Sequence, residues 1–440
     1  MIGFSKSFWK LLAFSLFALM VASCGDRHDL RDGKVTPERS ETESEADEFI
    51  SRMSSRRLGE GRDKLVVALL VPMSGPIKLV GESIINAAQL SLFENNKNNI
   101  SLRFYDTKGT TFGAVEAINR AIEDGIDTVI GPLFKAETKA IQKIARKNKI
   151  LLFSLSSEQD LLNSSNVFVT GSIVEQEIQT LISYLVTKGI YNYVGFMPNS
   201  SFGAAVNRVL RETVTNKDAM LIKTEYYDQD DQKMLQKISE LVSFYEIPQT
   251  LYENYEKKKL EQKLLGITKN VDFSVTEEDK IYPQAMFIAE GGKFAEQIAS
   301  LFFAIKRDRQ DIQLIGTTKL DGDWNTLKNP YLNDTIFVGA NPEKYEKFAN
   351  SYHETYGSRP LKITSMVYDL VNIMDKVYEK RDGNTYVLSK AALLDPNGFD
   401  GIDGRFRFLP NGLIERRLYV LQFKDGEKVV LDTNQEFLNY

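Results

Sequence analysis

From Lys64 onward the chain alternates short apolar runs with segments of helical periodicity, and this alternation limits the fold more than any other feature. Residues 66–71 form a continuous apolar run, the pattern of a strand buried on both faces. Ile84, Ala88 and Leu92 then recur at helical spacing. Strands at 102–105, 128–131 and 150–154 follow, separated by helices at 113–123 and 136–146. Parallel neighbours need a crossover between them, so short strands interleaved with helices build a doubly wound parallel sheet. On this reading a first lobe has its strands by Ser154. A second series runs through strands at 167–170, 193–197, 221–226 and 285–289, with Ile178, Leu181, Ile182 and Leu185 on one helical face. Strands at 313–316 and 335–338 then lead into helices at 342–356 and 365–378. The predicted class is α/β, with two doubly wound parallel-sheet lobes. A cleft lies between them, where ligands of open sheets sit beyond the carboxyl ends of the strands.

A length of 440 residues accommodates two such lobes with an N-terminal extension left over. Apolar residues make up 42% and charged residues 26%, close to ordinary globular averages. The net charge is -5 with both signs mixed along the chain, so no basic stripe is available to displace counterions from phosphates, and nucleic acid is excluded as a partner. His28, His353 and Cys24 are the only histidines and cysteine. A zinc or copper centre and an internal disulfide are therefore not expected. A Ser-His-carboxylate triad would have to recruit His353, whose helical neighbours Phe348, Tyr352 and Tyr356 mark an ordinary surface or half-buried position. Neither G-x-x-x-x-G-K-[ST] nor G-x-G-x-x-G occurs. The body is expected to bind without a cofactor and to catalyse nothing.

Lys6 and Lys10 precede an apolar run over 11–22, the layout of a secretory signal peptide. The run is shorter than the about 20 residues of a comfortable membrane span. Its end, Val21-Ala22-Ser23-Cys24, resembles a lipobox, which implies that 1–23 are removed and that Cys24 carries a lipid holding the protein to the membrane. The alternative is an incidental cysteine in a leader cut elsewhere. Gly25 follows in place of aspartate, which by analogy with enterobacterial sorting points to the outer membrane. Residues 24–63 are rich in Arg, Glu, Asp and Ser and too poor in apolar residues to offset their ordering entropy, so they are expected to form a flexible tether.

A collinear series of motifs runs through the body, beginning with Val67-Ala68-Leu69-Leu70-Val71-Pro72-Met73-Ser74-Gly75-Pro76 and Gly81. It continues through Asp106-Thr107, Val129-Ile130-Gly131-Pro132 and Ser154, then through the stretch from Phe348 to Pro360 and Tyr368-Asp369. It ends with 398–408, GFDGIDGRFRF, where Phe406 and Phe408 suit a strand with one buried face. In these motifs, and most strongly in the last, the body resembles the leucine/isoleucine/valine-binding family of type I periplasmic binding proteins. The resemblance implies lobe 1 from 64–173 and 319–400, lobe 2 from 174–318, and a crossover with C-terminal lobe 2 strands over 401–440.

A free amino acid in such a cleft needs hydroxyls and N–H groups for its carboxylate and a buried acid for its ammonium. Ser74, Ser154, Ser156 and Ser157 are candidates for the first task, and Glu290 or Asp321 for the second; Phe202 is the candidate aromatic of the lobe 2 loop. Two positions depart from the family: Phe134-Lys135 replaces a small hydroxyl residue and puts Lys135 at the cleft, and Thr317-Thr318-Lys319 stands where the acid is expected. A Lys-, Glu- and Tyr-rich insertion at 246–282, with Tyr252, Tyr255, Leu260 and Leu264 hinting at a helix with an apolar edge, extends lobe 2. It is either a partner surface or an inert elaboration. An insertion here, with Ala289-Glu290-Gly291-Gly292 after the next strand, resembles the lipoprotein activators of penicillin-binding proteins, which implies an adaptor whose partner is a peptidoglycan synthase. The alternative is the binding lipoprotein of an ABC importer, with a permease and an amino acid or related small molecule as partners; a ligand-sensing regulator stands third.

Cys24→Ser is expected to abolish labelling by a fatty-acid analogue and to leave the apolar leader attached, read by metabolic labelling and intact mass. A mature protein that begins elsewhere without lipid would remove the anchor.

Overall fold

The structure is a computed structural model, and it describes residues 64–163, 166–228, 232–265, 274–305, 312–321, 328–381 and 385–433. The leader, Cys24 and the expected tether lie outside the described residues. The first sheet contains β1 (Leu65–Val71), β2 (Ile100–Asp106), β3 (Thr128–Ile130), β4 (Leu151–Ser154) and β5 (Val167–Val169) in the order β2-β1-β3-β4-β5, all parallel. Helices Lys78–Glu94, Thr111–Glu123 and Lys135–Lys147 make the crossovers. The expectation that the first lobe ends its strands at Ser154 is corrected here, because β5 pairs with β4 through Leu152–Val167 and Phe153–Phe168. An apolar run carries no label of the sheet that will bury it.

The second sheet contains β6 (Asn192–Pro198), β7 (Met220–Tyr227), β8 (Ala285–Ile288), β9 (Gln313–Gly316) and β10 (Ile336–Gly339), and its order is β17-β16-β10-β9-β8-β6-β7. A hairpin of β11 (Tyr378–Arg381) and β12 (Thr385–Leu388) stands apart, and β13 (Phe399–Gly401), β14 (Gly404–Phe408) and β15 (Ile414–Arg416) form a small antiparallel sheet. Of the last two strands, β16 (Tyr419–Lys424) joins the second sheet antiparallel to β10 and β17 (Glu427–Asp432) pairs antiparallel to β16, so that sheet is mixed rather than wholly parallel.

Three chain crossings follow from this order. The first falls at 170–173, between β5 and the helix Val174–Thr187. The second falls at 340–341 and not at 318–319, since β10 still pairs with β9 through Ile336–Ile315. The third falls at 417–418 and not at 401, because β13 to β15 contribute Phe399, Phe406, Phe408 and Ile414 to the core of the first lobe. Val169 N–H donates to the Gly412 carbonyl at 2.9 Å, tying this small sheet to β5. Gly404 turns the chain against the third crossing at φ +111°, where a Cβ would stand 1.9 Å from the Arg417 carbonyl oxygen.

Each sheet is covered on both faces. In the first lobe the Val67, Leu69 and Val71 side of β1 packs with helices Lys78–Glu94 and Thr364–Val377, while Ala68 and Leu70 face helix Thr111–Glu123. Phe153, Phe168 and Phe408 meet with ring centroids 5.1 to 5.5 Å apart, so a late strand completes a core begun more than two hundred residues earlier. Truncating such a ring leaves a cavity that a two-sheet core cannot collapse around. Phe408→Ala is expected to lose about 3–5 kcal/mol of stability, measured by chemical denaturation; a loss well below this would show that β14 is peripheral to the first lobe.

Candidate functional site

At the floor of the cleft lies a cavity of about 270 Å³ bordered by all three crossings: Thr170 to Ser172 from the first, Ala340 from the second, Arg416 and Leu418 from the third. Leu155, Ile363 and Met366 add apolar surface, and Ser157, Thr318, Lys362 and Asp403 bring polar groups. The local folding that puts them there is legible: β4 ends at Ser154 and releases the 155–157 loop at its carboxyl end, and the turn between β13 and β14 presents Asp403.

The charges around this floor are organised by Asp321, which is 1% exposed. Its carboxylate accepts from Lys362 Nζ at 2.6 Å, Lys428 Nζ at 2.5 Å and the Ala340 backbone N–H at 2.9 Å. Burial alone would push this carboxyl up, but the attraction of the two lysines outweighs it and holds the group below its ordinary value. Lys362 is raised in turn: burial works against its charge, and Asp321 and Asp403 overcome that. Asp403 stands 3.6 Å from Lys362 and accepts from Ser365 Oγ at 2.7 Å. Asp369 accepts twice from the Ile402 N–H and, dominated by its complete burial and by the repulsion of Asp403, is raised well above the usual carboxylate range. Glu177, on the helix after the first crossing, accepts from the Ser172 hydroxyl and from both the N–H and the hydroxyl of Thr318.

Of the residues singled out in the sequence, the cavity gathers Ser157 and, from the departing segment 317–319, Thr318. Ser154 is buried behind it against the Thr138 hydroxyl at 2.8 Å, and Ser156 accepts from the Glu158 N–H at 3.3 Å. Ser74 is turned to Asp106 at 2.6 Å on an exposed loop. Lys135 pairs with Glu158 and Asp160 at 3.1 and 3.2 Å on the first lobe's surface. Phe202 is covered by Lys319, whose ammonium stands 4.1 Å from the ring centre. Glu290 accepts from Tyr227 Oη at 3.0 Å. Neither acid named for an ammonium is open: Asp321 already holds two lysines, and Glu290 does not border the cavity.

Arg416, Lys362 and Asp403 were not among the sequence candidates. Asp403 lies inside the GFDGIDGRFRF motif, so a signal existed for it. Arg416 sits in a Glu415-Arg416-Arg417 run that looks like solvated surface, although the alternation of buried Ile414 and Arg416 on β15 reveals it once the strand is known. The spacing of two between Ile414 and Arg416 is the only trace in the sequence.

Two mixed and parallel sheets joined by three crossings, with a cavity on the crossings, define a type I periplasmic-binding-protein fold. Residues 64–241 match the family model described as periplasmic binding protein. An uncharacterised protein of Rickettsia prowazekii is 18% identical over 364 residues, 82% of this chain and 87% of that one. A penicillin-binding protein activator of Glaesserella parasuis is 25% identical over 168 residues, 37% of this chain but only 27% of its own length. Among solved structures, a putative branched-chain amino acid ABC transporter protein from Rhodospirillum rubrum superposes with a TM-score of 0.65 at 16% identity, covering 84% of this chain and all of that one. Among the described residues no helix is long and apolar enough to cross a membrane.

Asp321→Ala would leave Lys362 and Lys428 facing each other without their carboxylate. A loss of about 3–5 kcal/mol is expected, as for breaking a buried ion pair from one side. The pH dependence has a defined sign. The folded carboxyl is held below its unfolded value, so its contribution is complete above the unfolded value and is lost as pH falls through the folded one. Denaturation at several pH values should therefore give a wild-type advantage that shrinks in acid; an advantage independent of pH would refute the ion-pair account.

Proposed function

We propose that this chain is a non-catalytic, lipid-anchored envelope adaptor of the penicillin-binding protein activator kind, which binds a peptidoglycan synthase through lobe 2. The observation that carries this reading is the insertion. Glu246 and Ile281 exchange backbone hydrogen bonds of 2.9 Å in each direction, so the excursion is pinched at its base. The ring of Tyr245 lies 5.7 Å from that of Tyr282, and Lys280 covers Tyr245 at 4.6 Å. Beyond the pinch, helix Gln249–Leu264 has no buried residue, and Tyr252, Leu260 and Leu264 are all exposed. A helix with no buried residue contributes little to the fold holding it, and exposed aromatic and leucine side chains among charges are what a protein interface uses for anchoring and steering. The commitment of Asp321 and Glu290 to internal partners supports the same reading, since neither of the two acids the sequence offers for an ammonium is free to take one.

The second reading, a solute-binding lipoprotein of an ABC importer, draws support from the cavity on the crossings and from the likeness to the branched-chain amino acid transporter protein. The two separate on the insertion. Replacing the stretch between Glu246 and Ile281 by a short Gly/Ser link should leave stability within about 0.5 kcal/mol, as for surface changes that touch no core. Crosslinking in envelopes should capture a peptidoglycan synthase from the intact chain and lose it from the shortened one. Capture of a permease by both forms would sink the adaptor reading.

A further inference from the structure

Each of the three crossings is spanned by a side chain that bonds from one lobe to the other. Gln176 stands in the first turn of helix Val174–Thr187, whose buried face packs with the second sheet. Its side-chain amide engages the backbone of β15 in the first lobe twice, donating to the Ile414 carbonyl at 2.7 Å and accepting from the Arg416 N–H at 3.0 Å. The first crossing is thereby tied to the strand that enters the third. At the second crossing Asn341 accepts from the Lys344 N–H at 3.0 Å, capping helix Pro342–Tyr356, which packs in the first lobe. The same side chain donates to Tyr419 Oη on β16 of the second sheet at 2.9 Å. Asp321, on the turn after β9, makes the last tie by accepting from Lys362 at 2.6 Å. Lys362 is steadied on its own side by the face of Tyr345, 3.9 Å from the ring centre.

A hinge turns when a few backbone torsions absorb the motion and little else across them is held. Here the crossings are bridged. Bonds of 2.6 to 3.0 Å are lost once their atoms part by about 1 Å, so a swing of one lobe against the other has to break several together. Each break leaves a polar group in need of a new partner. The loss is sharpest at Asp321, which is 1% exposed and would face its burial with one cation in place of two. The space around that carboxylate is already closed: a Cβ on Gly339, at the end of β10, would stand 2.8 Å from its carboxyl carbon. Lys428, the second cation on Asp321, comes from β17 and so bonds it within lobe 2.

We propose that these ties lock the angle between the lobes, so that Gln176, Asn341 and the Asp321–Lys362 pair hold one fixed arrangement and the chain does not open and close. The inference goes beyond the adaptor reading and does not depend on it, because no tie lies in the insertion. Any partner that touches both lobes meets a surface of constant shape. Double electron-electron resonance on the full chain in detergent tests it, with Cys24→Ser to leave no native thiol and nitroxides at Lys147→Cys and Lys217→Cys, exposed positions on the first and second lobes that take part in none of the ties. The chain with its ties intact should give a single narrow distance distribution. Lys362→Met combined with Gln176→Ala cuts two ties and should broaden it, while Lys428 still answers Asp321. Gln176→Ala alone leaves every ion pair in place and should broaden it in part, which keeps the test decisive if the double variant fails to fold. Lys428→Met also takes one cation from Asp321, but from inside lobe 2, and should leave the distribution narrow. The proposal is overturned if the intact chain shows a broad or two-peaked distribution, if cutting the ties leaves it unchanged, or if Lys428→Met broadens it as much as the cut ties do.

Discussion

A carboxylate at 1% exposure keeps its charge only where cations are fixed against it, and Asp321 has two, drawn from stretches of chain far apart in sequence. Lys362 comes from the return into the first lobe, Lys428 from the last strand of the second, and the Ala340 N–H from the crossing between the sheets. One side chain thereby holds three separate stretches of chain to the turn after β9. The geometry of the cleft floor depends on it: Lys362 lines the cavity, and its position beside Asp403 follows from its bond to Asp321. Such a buried triad adds little net stability over apolar packing, but it permits few alternative arrangements.

The regular elements were legible to within a residue or two because period and length decide them locally. The apolar run at 66–71 became β1 at Leu65–Val71, and the expected helix at 342–356 is Pro342–Tyr356. What periodicity omits is the identity of the neighbour. Val167, Phe168 and Val169 would fit either sheet, and only pairing to Leu152, Phe153 and Ser154 assigns them. The second and third crossings moved by some twenty and sixteen positions for the same reason: a crossing is defined by which core the flanking side chains enter. The site was less legible than the fold. Serines that look ligand-like in sequence are consumed by bonds to Thr138, Glu158 and Asp106, whereas Arg416, written among charges, is buried by the small sheet folding over it.

The binding-protein fold keeps two regions of this chain apart. The cavity lies on the crossings, where burial makes each charge consequential. The insertion, which the proposed adaptor role would use, carries solvated charges that steer more than they bind. Neither region shares a residue with the other, so each can be altered while the other is measured.

The pinch between Glu246 and Ile281 has a consequence for how such chains can vary. Once the ends of an excursion are held together by the host, lengthening it affects folding only through the entropy of closing a larger loop, about 0.6 kcal/mol for each doubling. Thirty-odd residues or twice that number are nearly equivalent to the two sheets. The length and composition of the segment beyond the pinch are therefore free to drift under the demands of whatever it touches, and related chains can share both sheets while their excursions have nothing in common.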